Sequence, residues 1–145
     1  MEGMPQNYAN HAQRVPVFLG MLIVLLLTFI GAWVNMYQSW GDHQRMYSAS
    51  LVLMLSGCAL VGGVYSRAFA LKAQDRAIRA EENLRHFAIT GKLLDSRLET
   101  LQVVALRFAS DEEFVELARK SAEQGTAPKD IKQAIRNWRA DNYRA

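Results

Sequence analysis

The chain predicts an all-α membrane protein: a two-helix transmembrane hairpin whose second span continues into a cytoplasmic helical stalk, followed by a small bundle of about three short helices. Three observations carry this. Two uncharged runs, residues 15–41 and 46–66, are separated only by Asp42, His43, Gln44 and Arg45. Small and apolar residues at alternating steps of four and three continue from the second run as far as Phe87. Beyond Gly91, capping residues and apolar stripes recur at helical spacing.

Each run matches the roughly 20 residues that cross bilayer hydrocarbon as a helix. Whole-chain averages conceal this, because the charges lie almost entirely beyond it. Residues 1–65 hold Arg14 and Arg45 against Glu2 and Asp42, residues 66–124 hold ten basic and ten acidic residues, and residues 125–145 hold five basic and two acidic. The net charge of +3 therefore sits in the last segment. The single cysteine, Cys58, lies inside the second run, so no intrachain disulfide forms and nothing points to an oxidising compartment.

Residues 1–14 form a short N-terminal segment ahead of the first span, 15–41. The apolar stretch from Val17 to Val34 is longer than the core of a secretory signal and no small-x-small cleavage site follows directly, so the span reads as an uncleaved anchor. Pro16 suits the first helical turn, where its missing N–H costs nothing. Trp33, Tyr37 and Trp40, with Tyr47 across the loop 42–45, supply an outer aromatic belt; Tyr65 and Phe69 supply the inner one.

The second span, 46–66, is the weaker inserter. Its leucines and valines favour insertion by about 2–4 kcal/mol before its serines and glycines are subtracted, against about 4–7 kcal/mol for the first span. A protein neighbour is expected to support it. Arg67, Lys72, Arg76, Arg79 and Arg85 follow this span, whereas the loop carries only Arg45. Both termini are therefore expected in the cytoplasm, the chain being a multi-pass protein.

Small residues at intervals of four, Cys58, Gly62 and Ser66 with Ala59 and Gly63, let helix backbones approach closely in lipid. The series Ala59, Gly63, Ser66, Ala70, Ala73, Ala77, Ala80, Leu84 and Phe87 is a heptad seam. Its stalk portion, 67–90, would be about 36 Å long at 1.5 Å per residue. The alternative is that alanine is simply the best helix former on a solvated face.

In the remaining segment, 91–145, Gly91 is a C-terminal cap, Ser96 with Glu99 and Ser110 with Glu113 match capping boxes, Gly125 closes a helix and Pro128 opens the next. Expected apolar stripes are Leu94, Leu98, Leu101, Ala105 and Phe108; Phe114, Leu117, Ala118 and Ser121; and Ile131, Ala134, Ile135 and Trp138. The last helix presents Lys129, Lys132, Arg136, Arg139 and Arg144 as a basic surface, suited to anionic lipid, an acidic protein or plain solvent. A unit of this size is near the lower limit for independent stability and gains from docking.

No catalytic or cofactor constellation emerges. Thr90-Gly91-Lys92 lacks the first glycine of a phosphate-binding loop, because that position is His86, and no strand precedes it. His11, His43 and His86 occupy three different segments and cannot converge on a metal. Cys58 has no cationic neighbour to activate it. Asp111, Glu112 and Glu113 suit a helix N-terminus better than acid–base chemistry.

The stretches Gln6-Asn7-Tyr8, Asn10-His11, Glu82-Asn83-Leu84-Arg85-His86-Phe87, Thr90-Gly91-Lys92, Asp95 with Arg97-Leu98, Ala105 through Phe114, Ile131-Lys132 with Ala134-Ile135, and Trp138-Arg139 with Asp141 resemble an uncharacterised bacterial family of two-span membrane proteins of unknown function. That resemblance implies a bacterial membrane protein and a shared architecture, and supplies no catalytic residues; the expected location is the bacterial inner membrane. The expected function is a non-enzymatic accessory or scaffold that assembles with itself or with a larger membrane complex, in contact with membrane lipid, with no cofactor, small-molecule substrate or nucleic acid expected. Alternatives are an oligomeric pore or transport-associated protein, disfavoured because the spans lack ionisable residues, and a membrane-tethered nucleic-acid-binding module using the basic segment.

Overall fold

The computed structural model describes residues 7–9 and 15–141. The described chain is all-helical: α1 Pro16–Gln38, α2 His43–Thr90, α3 Thr100–Leu106, α4 Asp111–Gln124 and α5 Pro128–Ala134. Two long apolar helices, each long enough to cross a membrane, come first, and shorter helices follow. The chain divides into two compact units, Arg14–Ala70 and Leu71–Ala145 together with Met1–Gln13. The N-terminal segment lies almost wholly outside the described residues, His11 and Arg14 included, as does Arg144 at the other end.

In the first unit α1 begins at Pro16 as expected. The reversal falls at residues 39–42, three positions earlier than the expected loop 42–45. Gly41 takes φ +94°, a left-handed value natural for glycine. Asp42 closes the turn through its N–H to the Ser39 carbonyl at 3.1 Å, and its carboxylate accepts the Arg45 N–H at 3.2 Å. That bond fills an orphan donor at the start of α2 and draws His43, Gln44 and Arg45 into the helix.

The two helices meet along matched stripes. In α1 every residue is exposed except Phe18, Leu22, Leu25, Phe29, Ala32 and Met36, spaced alternately by four and three, and the series ends on buried Ser39. In α2 the matching series is Met46, Ala49, Leu53, Ser56, Leu60, Gly63 and Arg67. A repeat of 3.5 residues keeps two helices in register along a shared seam. Gly57 faces the Phe29 ring, Gly63 faces Leu22, and the Arg67 guanidinium lies 5.9 Å from the centre of the Phe18 ring, which fixes an antiparallel register.

The contact is made with small residues: Ala32 and Ala49 are buried, as are Ser39 and Ser56. Hydroxyls in the apolar runs return to their own backbone. Thr28 donates to Val24 O at 2.9 Å, Ser39 to Asn35 O at 2.8 Å and Ser56 to Leu53 O at 3.0 Å. The hydroxyls of these side chains are thereby satisfied within their own helix. Meanwhile Val17, Leu27, Tyr37 and Trp40 stand outward and exposed.

In the second unit the core is Leu98, Val103, Ala105, Leu106, Phe108, Ala109, Phe114, Ala118, Ala122, Ile131 and Ile135. α3 packs on both α4 and α5. Gly91 (φ +72°) ends α2 and Gly125 (φ +60°) ends α4, both as expected, and Pro128 opens α5.

Four expectations need correction. The Ser96–Glu99 box does not form, because Asp95 instead accepts the Arg97 N–H at 2.9 Å and makes a local turn, its carboxylate drawn down to about 2 by the Arg97 guanidinium. α3 therefore starts at Thr100. There Gln102 Oε1 accepts the Glu99 N–H at 2.7 Å, and the stripe from Leu94 to Phe108 is split between loop and helix, with Leu101 exposed. The last helix stops at Ala134; Ile135 is extended, and Trp138 pairs with Ala109 in an antiparallel bridge. Ser110 does start α4, but Glu113 does not cap back onto it.

The hairpin contact generates a direct test. A Cβ on Gly63 would lie 3.3 Å from Leu22 and one on Gly57 would lie 3.2 Å from Phe29, whereas nothing lies within 4 Å of Gly62. Gly63→Leu should destabilise the hairpin by about 1–3 kcal/mol through overpacking. Gly62→Leu should leave it intact. Thermal unfolding of the two variants in detergent, followed by circular dichroism, separates them.

Candidate interaction surface

The chemistry-bearing residues of the second unit are spent on holding its pieces together. Along α2, Glu82, Asn83, Arg85 and His86 form one side of a polar clasp. Arg85 Nη1 donates to Glu82 at 2.9 Å, Nε to Asp111 at 2.7 Å and Nη2 to the Ala109 carbonyl at 2.8 Å. Its guanidinium carbon lies 4.3 Å from the centre of the Phe114 ring. Arginine suits this place because its planar fork can meet three acceptors while stacking on an aromatic face.

Neighbouring residues extend the clasp. Asn83 Oδ1 accepts the Leu94 N–H at 3.1 Å, and Arg79 donates to Thr100 Oγ1 at 3.1 Å. His86 Nδ1 lies 2.7 Å from the Lys92 carbonyl, which requires that nitrogen to carry the proton, and the ring meets Phe114 edge-on at 5.9 Å. The two stretches that carried most of the family resemblance thus bind one another. Sequence reading counted Arg85 as a basic flank; only the fold brings Asp111 and Ala109 to it.

Glu113 likewise has a structural task. Its carboxylate accepts the N–H of Arg136 at 3.2 Å and of Asn137 at 3.0 Å. Ser110 N–H donates to Asn137 O at 3.0 Å, Arg139 N–H to Phe108 O at 2.7 Å, and Trp138 packs on Phe108 with ring centres 5.1 Å apart. These bonds hold residues 135–139 out of the helix, which is why the expected basic helix ends early. Its basic residues do not share a helical face. Lys129, Arg136 and Arg139 are exposed at separate places, with Arg139 4.0 Å from Glu82. Lys132 is half-buried 5.8 Å from the centre of the Phe108 ring, its pKa lowered by burial and then by Arg107.

Arg107 is the other buried cation. Its Nε lies 3.2 Å from Asp141 in an ion pair, yet no guanidinium nitrogen attains hydrogen-bond geometry, and the group rests 4.6 Å from the centre of the Phe108 ring. Burial lowers its pKa, opposed by Asp141 and more weakly by Asp75, Glu82 and Glu81. A cavity of about 270 Å³ opens beside it between Ile78, Glu82, Arg139 and Asp141. The three guanidinium nitrogens have no accessible surface.

No group of three or more His, Cys, Asp or Glu able to hold a metal occurs among the described residues. Asp111 is engaged with Arg85 and Glu113 with backbone, so the acidic run supports helix and clasp. Gly91 caps α2 through its N–H to Phe87 O at 2.8 Å.

In each unit part of the α2 surface stays uncovered by the described residues. In the hairpin unit Cys58, Ala59, Gly62, Ser66 and Ala70 are exposed, while Gly63 turns partly toward Leu22. In the second unit Ala73, Ala77, Ala80, Leu84 and Phe87 are exposed, whereas Ile78 and Glu82 are buried and Arg85 is largely covered. Apart from Gly63, the seam residues are not the ones that pack within the chain.

A family of unknown function, DUF6526, matches the chain over residues 1–145, and the chain belongs to that family. No curated protein and no solved structure matches it.

The clasp and the buried ion pair respond differently to substitution. Arg85→Ala leaves Glu82 buried without its partner and should cost about 3–5 kcal/mol, with Arg85→Lys recovering little because lysine lacks the fork. Hydrogen exchange in residues 100–138 reports the loss. For the second cation, Asp141→Asn should destabilise by roughly 1–3 kcal/mol by stranding Arg107, whereas Arg107→Met should be neutral or stabilising. Chemical denaturation of the two variants checks this contrast.

Proposed function

We propose that this member of the DUF6526 family is a non-enzymatic integral membrane accessory or scaffold protein of the bacterial inner membrane. In this reading α1 and the first part of α2 cross the bilayer, both termini are cytoplasmic, and the polar unit is held at the inner face. The reading rests on one observation above others: the uncovered side of α2 carries small residues in the apolar segment and Ala73, Ala77, Ala80, Leu84 and Phe87 in the polar one. Small side chains at helical spacing allow close helix approach in lipid, where burial of apolar area gives no drive of its own. The engagement of Arg85, Asp111 and Glu113 in internal bonds further favours assembly over chemistry.

Membrane insertion also accounts for the exposure of Val17, Leu27 and Trp40, side chains that a water-soluble protein would cover. Arg67, Lys72, Arg76 and Arg79 after the second span set the orientation.

Gentle solubilisation of native membranes through a C-terminal tag is expected to retain a larger assembly, and Gly62→Leu together with Ala73→Phe should lower its particle mass. An unchanged mass would remove the seam from the reading. Cysteine labelling of intact cells should reach the 39–42 turn from outside and residue 145 only from inside; the reverse pattern would overturn the topology.

A further inference from the structure

We infer that the exposed face of α2 in the second unit is shaped for the same face of a second copy of this chain, lying parallel. This rests on the assembly reading above and adds the partner and the register. The short helices occupy the side of α2 that holds Ile78, Glu82 and Arg85. On the opposite side, Ala73, Ala80, Leu84 and Phe87 are exposed, Leu84 by 68% and Phe87 by 51%, and Ala77, which completes the steps of four and three, is exposed at the edge where it also borders the cavity beside Arg107. In heptad terms Ala77 and Leu84 are a positions, and Ala73, Ala80 and Phe87 are d positions.

The flanking charges decide between occupants. In a parallel pair the g residue of one helix faces the e residue of the following heptad on the other. Here these are Arg76 and Glu81, opposite in sign and both exposed. Among the described residues neither has an ion pair or hydrogen bond within the chain, although Glu81 borders the cavity beside Arg107. A two-fold axis makes the Arg76–Glu81 pair twice, which is the self-complementarity of an isologous interface. The next such positions, Asn83 and Ala88, are uncharged and oppose nothing. Antiparallel packing would set g against g and e against e, so Arg76 would not meet Glu81.

The test uses the full chain in lipid nanodiscs with Cys58→Ala. Oxidation of Ala80→Cys should give a covalent dimer, whereas Asp75→Cys, on the side toward the short helices, should stay monomeric. Arg76→Glu or Glu81→Arg alone should cut the Ala80 cross-link yield about tenfold, and the double reversal should restore it. Equal yields at the two cysteine positions, or single reversals without effect, overturn the proposal. If cross-linking fails while tagged purification still retains another membrane protein, assembly stands and the second copy falls. If the chain is then recovered alone and monomeric, both fall.

Discussion

Three acceptors and an aromatic face surround the largely buried guanidinium of Arg85, and the polar unit is arranged around that residue. The cation sits on α2; its acceptors come from α2 itself (Glu82), from the end of the α3–α4 connection (Ala109) and from the first turn of α4 (Asp111). Taking a charge from water costs several kcal/mol unless good geometry returns it. The three bonds and the Phe114 ring therefore specify one placement of the short helices on the segment 71–90. Once that side of α2 is taken, Ala73, Ala80, Leu84 and Phe87 are left facing outward.

The same logic, with sterics in place of charge, operates in the apolar unit. Gly57 makes room for the Phe29 ring and Gly63 for Leu22, while Ala49 and Ser56 are buried on the same stripe. Close approach brings the atoms of the two helices into dispersion contact along the seam. α2 thus carries two different small-residue stripes, one for α1 and one that none of the described residues covers.

Much of this was legible from the residues. Helix starts and stops follow from Pro16, Gly91, Gly125 and Pro128, because missing donors and left-handed backbone are local properties. The face by which α1 meets α2 was not legible: a helix apolar on every side carries no contrast between its neighbour-facing stripe and its outer one. The early end of α5 was hidden for another reason. Ile135 and Trp138 keep helical spacing in the sequence, but the Glu113 carboxylate and the Ala109 bridge lie more than twenty residues away and outbid the local pattern. Likewise nothing near Arg85 or Arg107 announces Asp111 or Asp141 as its partner.

The central claim is that α2 has one side locked under the short helices and the opposite side bare. Alkylation rates of single cysteines placed in turn from residue 73 to 87, in the full chain at high dilution in detergent, test it most directly. The account predicts slow reaction at 78, where the clasp residues stay in place, and fast reaction at 73, 80 and 84, with the fast set alone slowing when the protein is crowded in lipid. Uniform rates around the helix, or slowing on the side of Arg85 alone, would contradict it.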